Sequence, residues 1–325
     1  MISPISPGYT VSPFPTIYSL SATLARVMMG PLPDPAHPWP GTTRLFERLC
    51  SATVLEAAWD TVRRNAGGPG GDRMETATMA PVAGRMLAHL QHALRGGTYR
   101  PGPLRRVTIP KGDGGTRTLA IPCVIDRVAQ TAAARVLGVV LEPRFHPASF
   151  GYRPGRGVTD AVMLADRLRQ NGYAWVVDGD IAAFFDTVPH RHVMGRLERR
   201  VADRRFTGLV ALWLRDGAAG SGHGLPQGSP LSPLLANLAL DPIDWAIDST
   251  DKGTGVRLVR YADDFLLLCE HPWTAVTAKG RMAAFLACAG LRLNPRKTRI
   301  TSFAHGVRFL GYHLDRTGYR TDEGQ

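Results

Sequence analysis

Helical and strand-like patterns share this chain, and their order predicts an α+β fold. Two observations carry the strand half. Val256 to Cys269 is a run of β-branched, aromatic and aliphatic residues broken at Ala262-Asp263-Asp264, which reads as two strands reversing at an acidic tip. Arg105 to Pro122 repeats that pattern around Gly112-Asp113-Gly114-Gly115. The helical half rests on Leu45, Phe46, Leu49, Val54, Leu55, Ala58, Trp59 and Val62, which recur at three and four residues.

The acidic tip needs a reason. Turn chemistry alone favours Asn-Gly or Asp-Gly at such a reversal. Two carboxylates flanked by buried strands repel each other unless positive charge lies between them. Tyr261-Ala262-Asp263-Asp264 therefore reads either as a solvated turn or as the holder of a divalent ion, and these four residues alone do not decide.

With 325 residues, the chain suffices for one large domain or two of ordinary size. Its 39 Lys plus Arg against 27 Asp plus Glu give a net charge of +12, which favours nucleic acid or an acidic membrane surface as partner. The apolar runs are shorter than the roughly 18 residues a membrane span needs. A basic segment leading into an apolar one, the mark of a secretory signal, is not evident at the N-terminus. Cys50, Cys123, Cys269 and Cys288 are scattered without metal spacing, as expected of reduced thiols in a cytoplasmic protein.

Residues 1–41 are rich in proline and are expected to form a mobile leader. The first helical pattern stops at Asn65 to Asp72, a glycine-rich turn that lacks the lysine and preceding strand of a phosphate loop. A second helix is expected near Ala80 to Leu94. The Arg105 to Pro122 hairpin carries Lys111 and Arg117 on either side of its turn, suited to gripping phosphates, with a solvated basic hairpin as the alternative. Ser149 to Gly157 is an arginine- and aromatic-bearing loop that reads as a nucleic-acid contact or as a plain Gly/Pro loop.

Tyr173 to Val188 reads as a central strand bending into a helix, with Asp178, Asp180 and Asp186 breaking its apolar run. A carboxylate in a buried strand is costly unless paired or bound to metal. Asp180, at the strand end, fits a metal role best, and Asp186 fits an N-cap or polar support better. A basic helix follows, with Arg191, Arg196, Arg199, Arg200, Arg204 and Arg205 on a solvated or phosphate-facing surface. Gly224 to Leu238 is a stiff loop feeding a buried helix that starts at Ser232-Pro233. Gln227, between Pro and Gly, is placed to set an amide against a ligand. An amphipathic helix from Trp273 to Gly290, a basic turn and strand over residues 291–300, and a last strand at Val307 to Leu314 complete the chain without an internal repeat.

Asp180 from one segment and Asp263 with Asp264 from another offer carboxylates at strand ends amid cations. In-line nucleotidyl transfer needs this combination: hard oxygen ligands for Mg²⁺, and positive charge for a triphosphate. The chain resembles the reverse transcriptase domain of bacterial group II intron proteins and their relatives, including reverse transcriptases associated with CRISPR systems. The resemblance runs from about Leu45 to Leu314, in the family's order. Its segments are Asn65 to Asp72, Arg106 to Lys111, Arg117, Ile121-Pro122, Asp126-Arg127 with Gln130, and Phe150 to Gly155. They continue through Asp180 with Phe185-Asp186, Gly224 to Pro233, Tyr261 to Asp264, Leu293 to Lys297 and Phe309 to Tyr312.

That resemblance implies a right-hand palm and fingers, with an antiparallel palm sheet backed by helices; the chain departs from the family in that only a few residues follow Tyr312, so the thumb is expected to be absent or minimal. Residues 42–172 would be fingers and 173–325 palm. Asp180, Asp263 and Asp264 match the catalytic metal triad for two Mg²⁺ ions, with Mn²⁺ as a substitute. Lys111 and Arg117 match the triphosphate cations, Phe185 the bulky gate against a ribose 2′-hydroxyl, and Gln227 and Lys297 residues beside the nucleotide. Arg153, Phe309, Gly311 and Tyr312 are expected to contact primer or template. The implied activity is RNA-directed DNA polymerisation from dNTPs on an RNA template and a DNA or RNA primer, with a Cas1-type integrase as protein partner in the CRISPR branch. The rivals are a catalytically silent RNA-binding subunit and a template-independent nucleotidyltransferase.

Overall fold

The computed structural model describes residues 41–110, 115–217, 221–248 and 255–322. Lys111 and, but for Gly41, the expected leader lie outside them.

The N-terminal part is helical: α1 (Leu45–Leu49), α2 (Ala52–Arg64), α3 (Thr76–Met79), α4 (Ala83–Arg95) and the long α5 (Val124–Leu141). Ser51 caps α2, its hydroxyl accepting from Val54 N at 3.3 Å. The hairpin β1 (Arg105–Pro110) and β2 (Thr116–Ile121) sits between α4 and α5 in the chain. The glycine-rich stretch after α2 is the expected turn, and Gly70 and Gly71 are needed there because a Cβ on either would strike the backbone of Pro122-Cys123 or Pro103.

The central sheet has the order β4-β5-β3-β6, antiparallel throughout, from β3 (Trp175–Asp180), β4 (Val256–Tyr261), β5 (Asp264–Cys269) and β6 (Arg299–Ser302). It is buried on both faces, which is why Phe265 to Cys269 is apolar at every position instead of alternating. Val177, Phe265, Leu267 and Cys269 point to one core, and Val176, Leu266 and Leu268 to another. Helix α6 (Val158–Gln170) packs over the second face, and α11 (Pro272–Cys288) over the first. Helix α6 therefore joins the palm layer although it precedes residue 173.

The other helices are α7 (Phe184–Thr187), α8 (His190–Glu198), α9 (Arg204–Gly217) and α10 (Ser232–Ile247). The single basic helix expected after Val188 is thus two, separated at residues 199–203. Nor is it wholly a surface: Arg196 is buried, and Arg200 pairs with Asp241 at 3.3 Å. A three-stranded sheet, β7 (Val307–Phe309), β8 (Tyr312–Asp315) and β9 (Gly318–Thr321), closes the described chain. One apolar cluster runs from Leu45 to Leu291, so the expected fingers and palm share a core.

Candidate active site

The β4–β5 hairpin turns on Ala262 and Asp263, as the sequence predicts. Ala262 is in the left-handed region at φ 58°, a conformation that a non-glycine residue adopts only when its surroundings impose it. Here Arg260 imposes it. The guanidinium donates from Nη1 to Ala262 O (2.9 Å) and Asn237 Oδ1 (3.0 Å), and from Nη2 to Ser149 Oγ (2.7 Å). It also forms a two-pronged pair with Asp244, Nε to Oδ1 at 2.7 Å and Nη2 to Oδ2 at 2.5 Å. All five donors are thereby used in a site where Arg260, Asp244 and Asn237 are buried.

Asp264 opens β5 and stands opposite Asp180, the last residue of β3. The three aspartates thus meet at one end of the central sheet, with Ile181 N donating to Asp263 O at 3.3 Å. Gly179 lies between Asp178 and Asp180 because the Phe265 ring occupies the space a Cβ would need. Asp180 is buried and accepts from Lys297 Nζ (3.0 Å) and Asn294 Nδ2 (3.0 Å). Its neighbour Asp178 pairs with Arg299 at 2.9 Å. Burial raises the Asp263 carboxyl, and the Asp180 charge adds to the rise. Burial, then the charges of Asp263 and Asp180, push Asp264 up to about 6.

This is the electrostatic signature of a site short of positive charge, and hard carboxylate oxygens are the donor type that Mg²⁺ accepts. Among the described residues, no three carboxyl, imidazole or thiol groups stand as a ready-made ligand cluster. Asp180 is instead held by Lys297 and Asn294.

Beside the turn lies a cleft of about 1040 Å³, whose lining includes Arg117, Tyr152, Phe185, Gln227 and Asp263. Gln227 is fixed by its backbone: Ala120 N of β2 donates to Gln227 O at 2.7 Å, and Leu225 N donates to Phe185 O at 2.6 Å. Gly228 (φ 119°) lets this loop cross Ala120. The Gln227 amide donates to Asp186 at 3.3 Å, so Asp186 acts as the polar support expected of it.

The structure thus brings Arg117, Phe185, Gln227 and Lys297 to the aspartates. Two expected nucleic-acid contacts make other contacts within the fold. The Arg153 guanidinium is buried and donates to Glu142 Oε1, His146 O and Ser149 O, each at 2.7 Å, so it holds its own loop together. Phe309 is buried in the core beneath the three-stranded sheet. The tip of that hairpin is outward, turned by Leu310 (φ 54°) and Gly311 (φ 79°), and Gly311 is exposed, as is Arg308 on β7. Tyr312 is half-buried and set edge-on to Tyr319.

Sequence reasoning missed Arg260, Asn237 and Asp244. The signal was present: Asn237, Asp241, Asp244 and Asp248, spaced by four, three and four, form a polar stripe on an otherwise apolar helix. It gave no individual role to Tyr152 or to Arg127, a buried cation on the cleft wall whose Nε–H lacks an acceptor among the described residues.

A palm-type sheet with three aspartates at one end, beside a cleft bearing a cation, an aromatic ring and a fixed amide, is an arrangement suited to nucleotidyl transfer. The reverse transcriptase (RNA-dependent DNA polymerase) family matches residues 109–314, and the chain belongs to that family. Protein YkfC of Escherichia coli K12 is 33% identical, over 83% of this chain and 82% of its own length. The group II intron-encoded protein LtrA of Lactococcus lactis subsp. cremoris is 30% identical over 62% of this chain, which spans 35% of LtrA. A Candida tropicalis telomerase, 13% identical, superposes with a TM-score of 0.52 over 67% of this chain and 55% of its own, a likeness of fold. No helix among the described residues is long and apolar enough to cross a membrane.

Proposed function

We propose that this chain extends a primer 3′-hydroxyl with deoxynucleotides on an RNA template, through Asp180, Asp263 and Asp264. The 3′-oxygen attacks the α-phosphorus, the bond to the β-phosphate oxygen breaks, and pyrophosphate leaves. The supporting observation is the register that sets Asp180 opposite Asp264 and beside the Asp263 turn, at the edge of the cleft. The three carboxylates would hold two Mg²⁺ ions, which when bound activate the attacking hydroxyl and stabilise the leaving oxygen. Arg117, exposed on β2, would meet the triphosphate as a two-pronged donor, together with Lys111. Lys297, already on Asp180, supplies positive charge beside the same carboxylates. Gln227, held at both backbone and side chain, would orient the nucleotide without itself reorganising. Phe185 would stand against the sugar 2′ position, which favours deoxynucleotides. The Gly311 tip and Tyr312 would meet the primer.

Primer extension on an RNA template with dNTPs and Mg²⁺, beside Asp263→Ala/Asp264→Ala, tests the reading. Synthesis lost in the variant, with a product that copies the template, supports it. Tight RNA binding without synthesis identifies a silent binding subunit, and a product independent of template identifies the other rival. A Cas1-type integrase as partner is the finer expectation. It is tested by copurification and by whether the partner raises extension, neither occurring if this chain works alone.

A further inference from the structure

Phe185 stands on a short platform, tied to the Gln227 loop where Leu225 N donates to Phe185 O at 2.6 Å. Its helix α7 has four residues, starts from Ala183 in the left-handed region (φ 46°), and lacks a side-chain cap. Behind the ring, fully buried Phe184 meets it edge-on, with centroids 5.4 Å apart and planes at 81°. On another side lies Tyr152, edge-on at 6.3 Å and 88°.

Tyr152 is much more firmly mounted. The loop before it is stitched to the catalytic hairpin, Phe150 N donating to Arg260 O and Arg260 N to Ala148 O, both at 2.9 Å. Asn237 Nδ2 donates to Gly151 O at 2.8 Å. Gly151 lies so close to the Ala262 backbone that no side chain fits between them. The buried Arg153 guanidinium closes the loop on its far side. Tyr152 is held at φ 62°, in the left-handed region, while its ring is 53% exposed and lines the cleft beside Phe185 and Asp263. A core tyrosine would be hidden, whereas this one lies at the cleft on a backbone held in the left-handed region.

We propose that Tyr152 is the positioning residue of a two-ring sugar gate, its edge-on contact fixing Phe185 in the orientation that closes the 2′ side of the nucleotide site. The proposal rests on the polymerase reading above and deepens it: nucleotide sugar selection is carried jointly by the loop clamped to the aspartate turn and by α7.

The test is single-nucleotide incorporation, comparing kcat/KM for a dNTP and the matching rNTP. Tyr152→Ala should lower the dNTP-to-rNTP ratio by about tenfold or more, while Tyr152→Phe, which keeps the ring, stays within about threefold of the wild type. Tyr152→Ala/Phe185→Ala should be no more permissive than Phe185→Ala, because the first change acts through the second ring. If Tyr152→Ala does not fold, Tyr152→Leu reads the same ratio without a flat ring. An unchanged ratio in the Ala or Leu variant overturns the inference, as does a ratio lost equally in Tyr152→Phe. If Phe185→Ala itself leaves the ratio unchanged, the gate is not at this position and the inference falls with it. A wild-type protein that incorporates neither nucleotide overturns the polymerase reading instead, and Tyr152 then has no gate to position.

Discussion

Arg260 and Asp263 lie three residues apart on one hairpin, yet the charge clusters they belong to are built in opposite ways. Below the turn, Arg260 commits every donor; burial raises the Asp244 carboxyl, and its two-pronged pair with that guanidinium opposes the rise. At the turn, Asp263 and Asp264 are raised by burial and by one another's company, and Lys297 and Arg117 only partly offset this. The lower cluster fixes geometry and is closed. The upper cluster is left short of positive charge, which is what a site must do if its substrate complex brings cations with it.

The largest effect that sharpens this contrast is loss of chemistry. Asp263→Asn/Asp264→Asn should cut primer extension by about a thousandfold or more, roughly 4 kcal/mol of barrier. The same variant should melt no lower than the wild type in metal-free buffer. A lower melting temperature would show that the upper cluster is structural too.

Next in size is Arg260→Met, which strands a buried carboxylate at Asp244 and should cost about 3–5 kcal/mol in urea denaturation. Adding Asp244→Leu should recover most of that stability, whereas primer extension stays impaired because the Ala262 carbonyl has lost a donor. Recovery of both would mean that the lower cluster only supports the fold.

A smaller effect separates the clusters by pH. A carboxyl whose folded-state pKa lies above its unfolded value of about 3.9 holds its proton better when folded, so its favourable contribution is full below that value. For Asp264 it is lost as pH rises through about 6. Asp264 is exposed, so solvent screening keeps this contribution small. Without divalent ions, the melting temperature of Asp264→Asn should therefore gain on that of the wild type between pH 4 and 7. Mg²⁺ added at pH 7 should raise the wild type more than the variant. Parallel curves would remove the charge shortage from the account.

The smallest expected change is in Lys297→Ala. The Lys297 end of its pair with buried Asp180 is exposed, and Asn294 still donates to that carboxylate, so unfolding should move only slightly. The KM for dNTP should rise severalfold, and an unchanged KM would place Lys297 outside the nucleotide site.

The sequence made the upper cluster legible because carboxylates in apolar strands have few explanations. Asp180, Asp263 and Asp264 stand out for that reason, and the two-sided burial of β5 is visible in Phe265 to Cys269. The lower cluster was harder because its partners come from α10, β4 and the 148–151 segment, and only the fold reveals that Asn237, Asp244 and Ser149 converge on one arginine. The surroundings of two other expected contacts were illegible for a related reason. Arginine in a Gly/Pro loop and phenylalanine near a turn both suit a nucleic-acid surface, but sequence does not say that Arg153 finds four acceptors within its own neighbourhood, or that Phe309 faces inward.

The crossing of Gly151 against Ala262 has a bearing on protein engineering. The acidic turn is a short string, easily copied into another hairpin, but its shape does not travel with it. The carbonyl of Ala262 is held from β4, the arginine that holds it is anchored on α10, and the loop across its backbone arrives from residues 148–153. A graft carrying Tyr261 to Asp264 alone would relax to an ordinary bend, and the smallest transplantable unit comprises three stretches of chain, with Ser149 in the first lying 111 residues before Arg260 in the last.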